Sequence, residues 1–436
     1  MNIEGWTQKS LGSFTQFIKG ITYASEDYCK EDEGAIFLTI KCVSKSGGFK
    51  LEGIKYYRGI IHENEKLKEG DILISNTDLT RDGDIVGCPI MVPFLGANEV
   101  TMSMDLSKLV IDLFQVDSKF LYYKLMTDKV RRFMQDHASG STVLHLQTKA
   151  VPTLELLIPD KKEEQEKIAE VLSRIDRAIA QTEAIIAKQQ RIKTGLMQDL
   201  LTKGIDENGN IRSEATHEFK DSAIGRIPVE WEIKNLSYTL VDINAGKSPE
   251  CPDIPAIGDE WGVLKVSAVH PLGFREQENK VITNPIHINY NYEIKDGDLL
   301  ITRANTPELV GLTCLVVDPP SRLLISDKTL RLVVNKSIAM SEFIFYTTQM
   351  FLVRLQIEIN ATGSSAGMKN ISQQAIKNLQ ISLPNIEEQN RIIQLLSSST
   401  NQINITYSNL IKLKRRKTGL MQDLLTGKVR VTNLLN

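Results

Sequence analysis

The decapeptide "KTGLMQDLLT" stands at Lys193–Thr202 and again, unchanged, at Lys417–Thr426. Its composition is mixed, so low complexity does not explain the recurrence. The match continues upstream at the same offset. "EEQEKI" (Glu163–Ile168) faces "EEQNRI" (Glu387–Ile392), and a proline precedes each, Pro159 and Pro384. Further back, "ASGSTV" (Ala138–Val143) faces "ATGSSA" (Ala361–Ala366), and "KEGDILIS" (Lys68–Ser75) faces "KDGDLLIT" (Lys295–Thr302). Even the starts correspond, "GWTQKSLG" at Trp6 and "EWEIKNLS" at Trp231. A period of half the chain means two copies of one plan, each a variable head followed by a constant tail. At 436 residues the chain is long enough for each copy to bury its own core.

The tails read as long helices. In the first, Ile168, Leu172, Ile175, Ile179, Thr182, Ile186 and Gln189 follow one another at alternating steps of four and three, a heptad seam. The same offset gives Ile392, Leu396, Ser399, Ile403, Thr406, Leu410 and Leu413 in the second, so the seam recurs with its polar weak points. Pro159 and Pro384 suit the approach to a helix start, and Gly204 and Gly427 suit its end. A helix of roughly 40 residues is about 60 Å long, more stripe than a small domain covers. The expectation is therefore that the tails bury their stripes against each other as an antiparallel pair, with the heads at opposite ends. The alternative is that each helix packs on its own head. The second tail, "EEQNRIIQLLSSSTNQ", is the more polar, a feature that fixes register at a cost in stability.

Each head reads as α+β. "GAIFLTI", "DILIS", "IVGCPIMVPF" and "KLVIDLF" have strand composition, and "SKFLYYKLMTDKVRRFMQD" (Ser118–Asp136) has helical spacing. The second head repeats this with "WGVLKVS", "GDLLIT", "GLTCLVV", "TLRLVV" and the helix "SEFIFYTTQMFLVRLQ". Between the strands lie polar loops that differ between the halves while their framing strands do not. In the first head the candidates for contact with nucleic acid are Lys41, Lys45, Ser46, Lys50, Asn76, Thr77, Arg81, Ser141 and Thr142. In the second they are Lys265, Arg275, Arg303, Asn305, Ser364 and Lys369. Such side chains reach phosphates and base edges; the plain alternative for each is a solvated loop. The basic run "KLKRRK" (Lys412–Lys417) winds around several faces of a helix, which favours solvation, or a place near DNA by position, over a specific phosphate site.

Composition and motifs narrow the function classes. A net charge of −2 gives no global argument for nucleic acid and does not exclude a local basic surface. No run approaches a membrane span, and the N-terminus lacks a basic stretch followed by an apolar core, so a cytoplasmic chain without membrane association is expected. The five cysteines are scattered without a CxxC and the histidines lack ligand spacing, so neither a disulfide frame nor a metal site is expected. "DPPS" (Asp318–Ser321) begins like the motif of amino-methyltransferases but has Ser321 in the aromatic slot, and no glycine-rich cofactor turn precedes it. "AGKS" (Ala245–Ser248) has Val241 where a phosphate loop needs glycine. No chemistry is read in this chain.

A duplicated head with a duplicated long helix resembles the specificity (S) subunit of type I restriction–modification systems. The resemblance is carried by "LIPDKKEEQEKIAEVLSRID" and "SLPNIEEQNRIIQLL" at the helix starts and by "KTGLMQDLLTKGI" and "KTGLMQDLLTGKVRV" at their ends. "IGRIPVEWEIKNL" opens the second head, and "DILIS" with "SGST" and "DLLIT" with "TGSS" frame the two heads. The resemblance spans essentially the whole chain. It implies two homologous target-recognition domains separated by two long antiparallel coiled-coil helices. The implied boundaries are 1–158 for the first domain, 159–203 for the first helix, 204–384 for linker and second domain, 385–427 for the second helix, and 428–436 for a tail. Each domain would read one part of a bipartite double-stranded DNA site. The helices would set the spacer and dock two methyltransferase subunits, which carry S-adenosylmethionine; restriction subunits join in the full complex. The chain itself would hold no cofactor, bind no metal and catalyse nothing. Helix pairing or partner docking would fall to Ile168, Leu172, Ile175, Ile179, Ile186, Leu196, Met197 and Leu200, and to Ile392, Leu396, Ile403, Leu410, Leu420, Met421 and Leu424. The sequence leaves open whether the repeated decapeptide docks a partner or only pairs helices. A competing reading is a specificity chain for another restriction architecture, such as a fused nuclease–methyltransferase; a self-sufficient enzyme and a plain spacer are further ones.

Overall fold

A computed structural model describes residues 3–45, 47–80, 82–363 and 367–435. Ser46, Arg81 and Ser364 among the candidates lie outside the described residues. The chain forms two compact units, Met1–Ala184 with Ser408–Asn436, and Ile185–Tyr407.

The first unit is built around the strand Ile72–Ser75, flanked by Leu106–Ile111 and Pro89–Met91, with Thr15–Lys19 outside Leu106–Ile111. All neighbours are antiparallel. The central strand is buried along its whole length, which is why it reads as an unbroken apolar run. Its alternation still decides which core each side chain joins: Ile72 and Ile74 face one cluster with Leu109 and Phe120, and Leu73 faces another with Cys88 and Ile90. The second unit repeats the plan. Leu299–Thr302 lies between Thr329–Val334 and Thr313–Leu315, with Leu240–Asn244 outside Thr329–Val334. Leu299 and Ile301 face one cluster and Leu300 the other.

The single helix expected over Ser118–Asp136 is two, Ser118–Leu125 and Asp128–Asp136. Thr127 is extended between them and its hydroxyl donates back to the Lys124 carbonyl at 2.8 Å, a local bond that competes with helix continuation. The second unit breaks at the equivalent place. Ser341–Thr348 and Phe351–Asn360 are separated by an extended Met350, and Thr348 Oγ1 donates to the Phe345 carbonyl at 2.9 Å.

The long helices run Lys162–Thr202 and Ile386–Leu424. Their residues are shared between the units, so each unit contains the start of one helix and the end of the other. In the first unit Lys417 Nζ lies 2.7 Å from Asp176 and Lys414 Nζ 2.8 Å from Glu183, opposite directions along the two chains, hence antiparallel. Ile168 and Leu172 are buried in one cluster with Leu424 and Leu425, with Leu420 and Met421 partly buried against it. In the second unit Leu200 and Leu201 share a cluster with Ile392 and Leu396, and Leu196 and Met197 pack against it. Gln190 Nε2 donates to Tyr407 Oη at 2.9 Å there. Ile186, Ile403 and Leu410 are buried, whereas Ile175 and Ile179 are half-buried.

Both helices end on a left-handed glycine, Gly204 (φ +67°) and Gly427 (φ +73°). The chain then folds back onto the helix start that shares its unit. Arg212 reaches Glu388 in the second unit, and Arg430 reaches Glu164 in the first. Of the acidic pair at each helix start, Glu163 and Glu387 are exposed, whereas Glu164 and Glu388 are each 1% exposed and ion-paired. The following glutamines complete the start. Gln165 Nε2 donates to the Pro159 carbonyl and its oxygen accepts from Asp117 N; Gln389 Nε2 donates to the Pro384 carbonyl and its oxygen accepts from Met340 N. This is the physical content of the repeated "EEQ".

Candidate nucleic-acid interface

In each unit the loop that follows the central strand is joined to the loop of the "SGST" or "TGSS" motif by a small antiparallel sheet. Thr77–Asp78 pairs with Leu144–Leu146, which pairs with Ala138–Ser139. In the second unit Ala304–Asn305 pairs with Lys369–Asn370, which pairs with Thr362–Gly363. Segments far apart in sequence thus form one face, and the same face occurs twice.

The first unit adds a third segment. Lys45 Nζ lies 2.8 Å from Asp84, which brings the 41–50 loop against the 75–84 loop. Lys41, Lys50, Ser141 and Thr142 are exposed around this junction. Two candidates face inward instead. Asn76 is buried, donates to the Met104 carbonyl at 3.0 Å and accepts from Ser107 Oγ at 2.9 Å. Thr77 is buried and donates to Asp105 at 3.1 Å. They shape the loop rather than project from it.

Asp78, fully buried, accepts backbone N–H groups from Thr80 at 2.6 Å, Ile85 at 2.5 Å and Val86 at 2.9 Å. Burial alone would raise its pKa, but those donors outweigh it and hold the carboxyl below the ordinary carboxylate range. From the other side Arg131 donates to the Val86 and Asp84 carbonyls at 2.6 and 3.2 Å, and Gln135 to the Gly83 carbonyl at 3.1 Å. The loop's backbone is therefore fixed by donors and acceptors on both sides, and its exposed side chains, Leu79 among them, are held out from a rigid base.

In the second unit Arg303 is exposed, Asn305 Oδ1 accepts from Thr306 N, and Lys369 Nζ donates to the Gly363 carbonyl at 3.2 Å. Here Thr302 does the holding: its hydroxyl donates to the Leu309 carbonyl at 2.6 Å and accepts from Leu312 N at 3.0 Å. Lys265 and Arg275 lie on a different segment. Lys265 Nζ is 2.7 Å from Asp253, and Arg275 N donates to the Ala268 carbonyl beside the hairpin of Val269–His270 with Gly273–Phe274. No hydrogen bond or ion pair among the described residues ties them to Arg303, Asn305 or Lys369.

Sequence reading missed Asp78, Arg131 and Gln135. One signal was available: Arg131 and Arg354, both half-buried, are the same residue at corresponding helix positions in the two halves. In the basic run, Lys414 and Lys417 are taken up by Glu183 and Asp176, while Lys412, Arg415 and Arg416 stay exposed. No helix among the described residues is long and apolar enough to cross a membrane.

The duplicated architecture has counterparts in known proteins. The sequence model of the type I restriction modification DNA specificity domain matches residues 3–190 and again 276–415. The specificity subunit of the type I restriction enzyme EcoEI from Escherichia coli is 33% identical over 171 residues, 39% of this chain and 29% of that protein. The MjaVIII specificity subunit from Methanocaldococcus jannaschii is 25% identical over 440 residues, 99% of this chain and 94% of its own. The crystal structure of the type I restriction-modification S subunit from M. genitalium superposes with a TM-score of 0.57 at 13% identity, covering 96% of each chain. A chain from a structure concerned with complex assembly and conformational transition of the type I R-M system gives 0.55 at 16% identity, covering 97% of this chain and 98% of that one. At those identities the structures bear on the fold, and the fold is the same α+β plan with long coiled-coil helices. Two matched segments, one in each half of a duplicated architecture, settle the family: this chain belongs to the type I restriction modification DNA specificity domain proteins.

Proposed function

We propose that the chain is the DNA-specificity subunit of a type I restriction–modification complex, working in the cytoplasm. Each unit reads one part of a bipartite double-stranded site through the loops joined by its small sheet. The paired helices set the spacer between the parts and dock methyltransferase subunits. The chain supplies recognition only. S-adenosylmethionine and the methyl transfer belong to the partner subunits, and restriction subunits complete the assembly.

The observation that carries this reading is the duplicated face itself: one rigid framework, presented twice, with different exposed side chains each time. Cations such as Lys41, Lys50 and Arg303 are placed to meet phosphates, and Ser141 and Thr142 to meet phosphates or base edges. The exposed residues of the decapeptide, Thr194 and Gln198 in one copy and Thr418 and Gln422 in the other, offer a partner two equivalent polar strips. Identical partners require identical surfaces, which accounts for a repeat kept letter for letter.

The test is methylation mapping in cells that express the chain with the methyltransferase encoded beside it. The expected result is a split motif with a fixed gap that vanishes when this chain is omitted. Replacing Ser75–Asp84 should then change one half of the motif and leave the other. Methylation indifferent to this chain, or a replacement that changes both halves, would overturn the reading.

A further inference from the structure

The two copies of the decapeptide are identical in sequence but not in surroundings. Lys417 of the second copy has a carboxylate, Asp176, at 2.7 Å, and its ammonium lies 5.9 Å from the Tyr123 ring centroid. Lys193 of the first copy sits likewise over Tyr346, at 5.8 Å. At the position corresponding to Asp176, however, stands Thr400, whose hydroxyl donates to the Leu396 carbonyl. Among the described residues Lys193 has no carboxylate within ion-pair reach, and burial pushes its amine below the ordinary lysine range. The neighbouring arginines differ in the same sense. Arg131 donates to two carbonyls of the recognition loop. Among the described residues its counterpart Arg354 donates one side-chain bond, at 3.3 Å to the Glu308 carbonyl, and its Nη1 is buried without a partner.

Arg354 and Thr194, the residue after Lys193, both line an open cavity of about 690 Å³ in the second unit. The rest of its wall is largely apolar, including Met197, Leu201, Ile227, Met350, Phe351 and Leu352. Phe351 is 74% and Leu352 39% exposed. The positions corresponding to these two in the first unit are Asp128 and Lys129, both exposed and charged. An exposed phenylalanine beside a buried guanidinium nitrogen with nothing to bond is a surface incomplete by itself.

We propose that this cavity is a docking pocket for an acidic, apolar segment of the methyltransferase subunit, and that its apolar rim, replaced by Asp128 and Lys129 in the first unit, makes the two docks of the chain unequal. The proposal rests on the docking role given above. The occupant's apolar side chains cover Phe351 and Leu352, and its carboxylates pair with the Arg354 guanidinium, which lines the cavity, and with Lys193, the two cations left without the partners their counterparts have. A nucleic-acid phosphate would satisfy the cations but leave the apolar wall bare, so the wall favours a protein. The first methyltransferase subunit to bind occupies the dock in the second unit, and the second subunit binds where only the polar strip is available.

The experiment titrates the purified methyltransferase subunit onto the full chain and follows stoichiometry by native mass spectrometry. The expected result is two steps differing about tenfold or more in affinity, as for one buried charge-assisted contact with its apolar rim. Phe351→Asp, at an exposed position, should abolish the tighter step and leave the weaker one unchanged. Lys193→Met should weaken the tighter step alone. Two equal steps in the unaltered chain, or a tighter step indifferent to both substitutions, would overturn the proposal. So would loss of DNA affinity or of self-association in Phe351→Asp with both steps intact, which would assign the pocket to DNA or to a second copy. Absence of any methyltransferase binding would remove the docking reading as well, a result distinct from equal steps.

Discussion

The ion pairs that close the two units use the same residue types in different surroundings. In the second unit Glu388 accepts from both terminal nitrogens of Arg212, from Ile205 N at 2.9 Å and from Trp231 Nε1 at 3.2 Å. Glu388 and Arg212 are 2% and 9% exposed at their side chains. In the first unit Glu164 takes only a two-pronged contact from Arg430, at 2.6 and 2.7 Å, and Arg430 is 30% exposed. The Trp6 indole nitrogen, the counterpart of Trp231, is buried there with no partner among the described residues. One closure lies inside continuous chain, between the first helix and the second head. The other is made by the last residues folding back beside the first ones, where Arg430 also donates to the Glu4 carbonyl. The former network is buried and the latter is half-exposed.

That difference predicts unequal costs. Arg212→Met strands a buried carboxylate among donors that no longer neutralise it, and should cost about 3–5 kcal/mol. Arg430→Met leaves Glu164 where water reaches the vacated position and should cost less, about 1–3 kcal/mol. Denaturant titration of both variants, with hydrogen exchange to assign the loss to one unit, checks the ranking. Equal costs would mean that exposure of the arginine does not govern these junctions.

Much of this plan was legible in the sequence, for reasons visible in particular residues. The heptad steps gave both helices, Gly204 and Gly427 gave their ends, and "DILIS" and "DLLIT" gave the central strands. The closure of each unit was not legible, because Arg212 and Glu388 are 176 residues apart and nothing local announces their pairing. Nor was the break of the helix at Thr127 and Met350, since the apolar spacing continues through it. Asn76 and Thr77 misled for another reason. A polar residue after a buried strand reads as exposed, and only the tertiary neighbours Met104, Asp105 and Ser107 show that it is not.

The loops that follow the two central strands differ as well. The first is held by a charged group, Asp78, and the second by a neutral one, Thr302, so only the first should respond to charge removal and to acid. Asp78→Asn puts an NH2 donor among the N–H groups of Thr80, Ile85 and Val86. It should cost about 1–3 kcal/mol and relax selectivity at one half-site, leaving the other intact. For the native residue the sign follows from its depressed folded-state pKa. The stabilisation is fully present above the unfolded value of about 3.9 and is lost as pH falls through the lower folded value. Hydrogen exchange at Ile85 and Val86 across that range reads it directly. Equal acid sensitivity at Leu312, held by Thr302, would break the distinction.

The smallest effect on stability is expected at the exposed cations. Lys41 and Lys50 project from the first unit without any ion pair among the described residues, so replacing either with alanine should move stability by less than about 0.5 kcal/mol. Their effect should surface in the salt dependence of DNA binding. Each lysine that neutralises a phosphate releases a counterion, and its loss should lower the slope of log affinity against log salt by about 1. Lys45 sets the contrast, because Asp84 already neutralises it within the protein. Lys45→Ala should loosen the loop and change half-site selectivity while leaving the salt slope nearly as it was. If Lys45→Ala lowers the slope as much as Lys41→Ala, the pair with Asp84 opens when DNA binds, and the loop is a moving part rather than a fixed one.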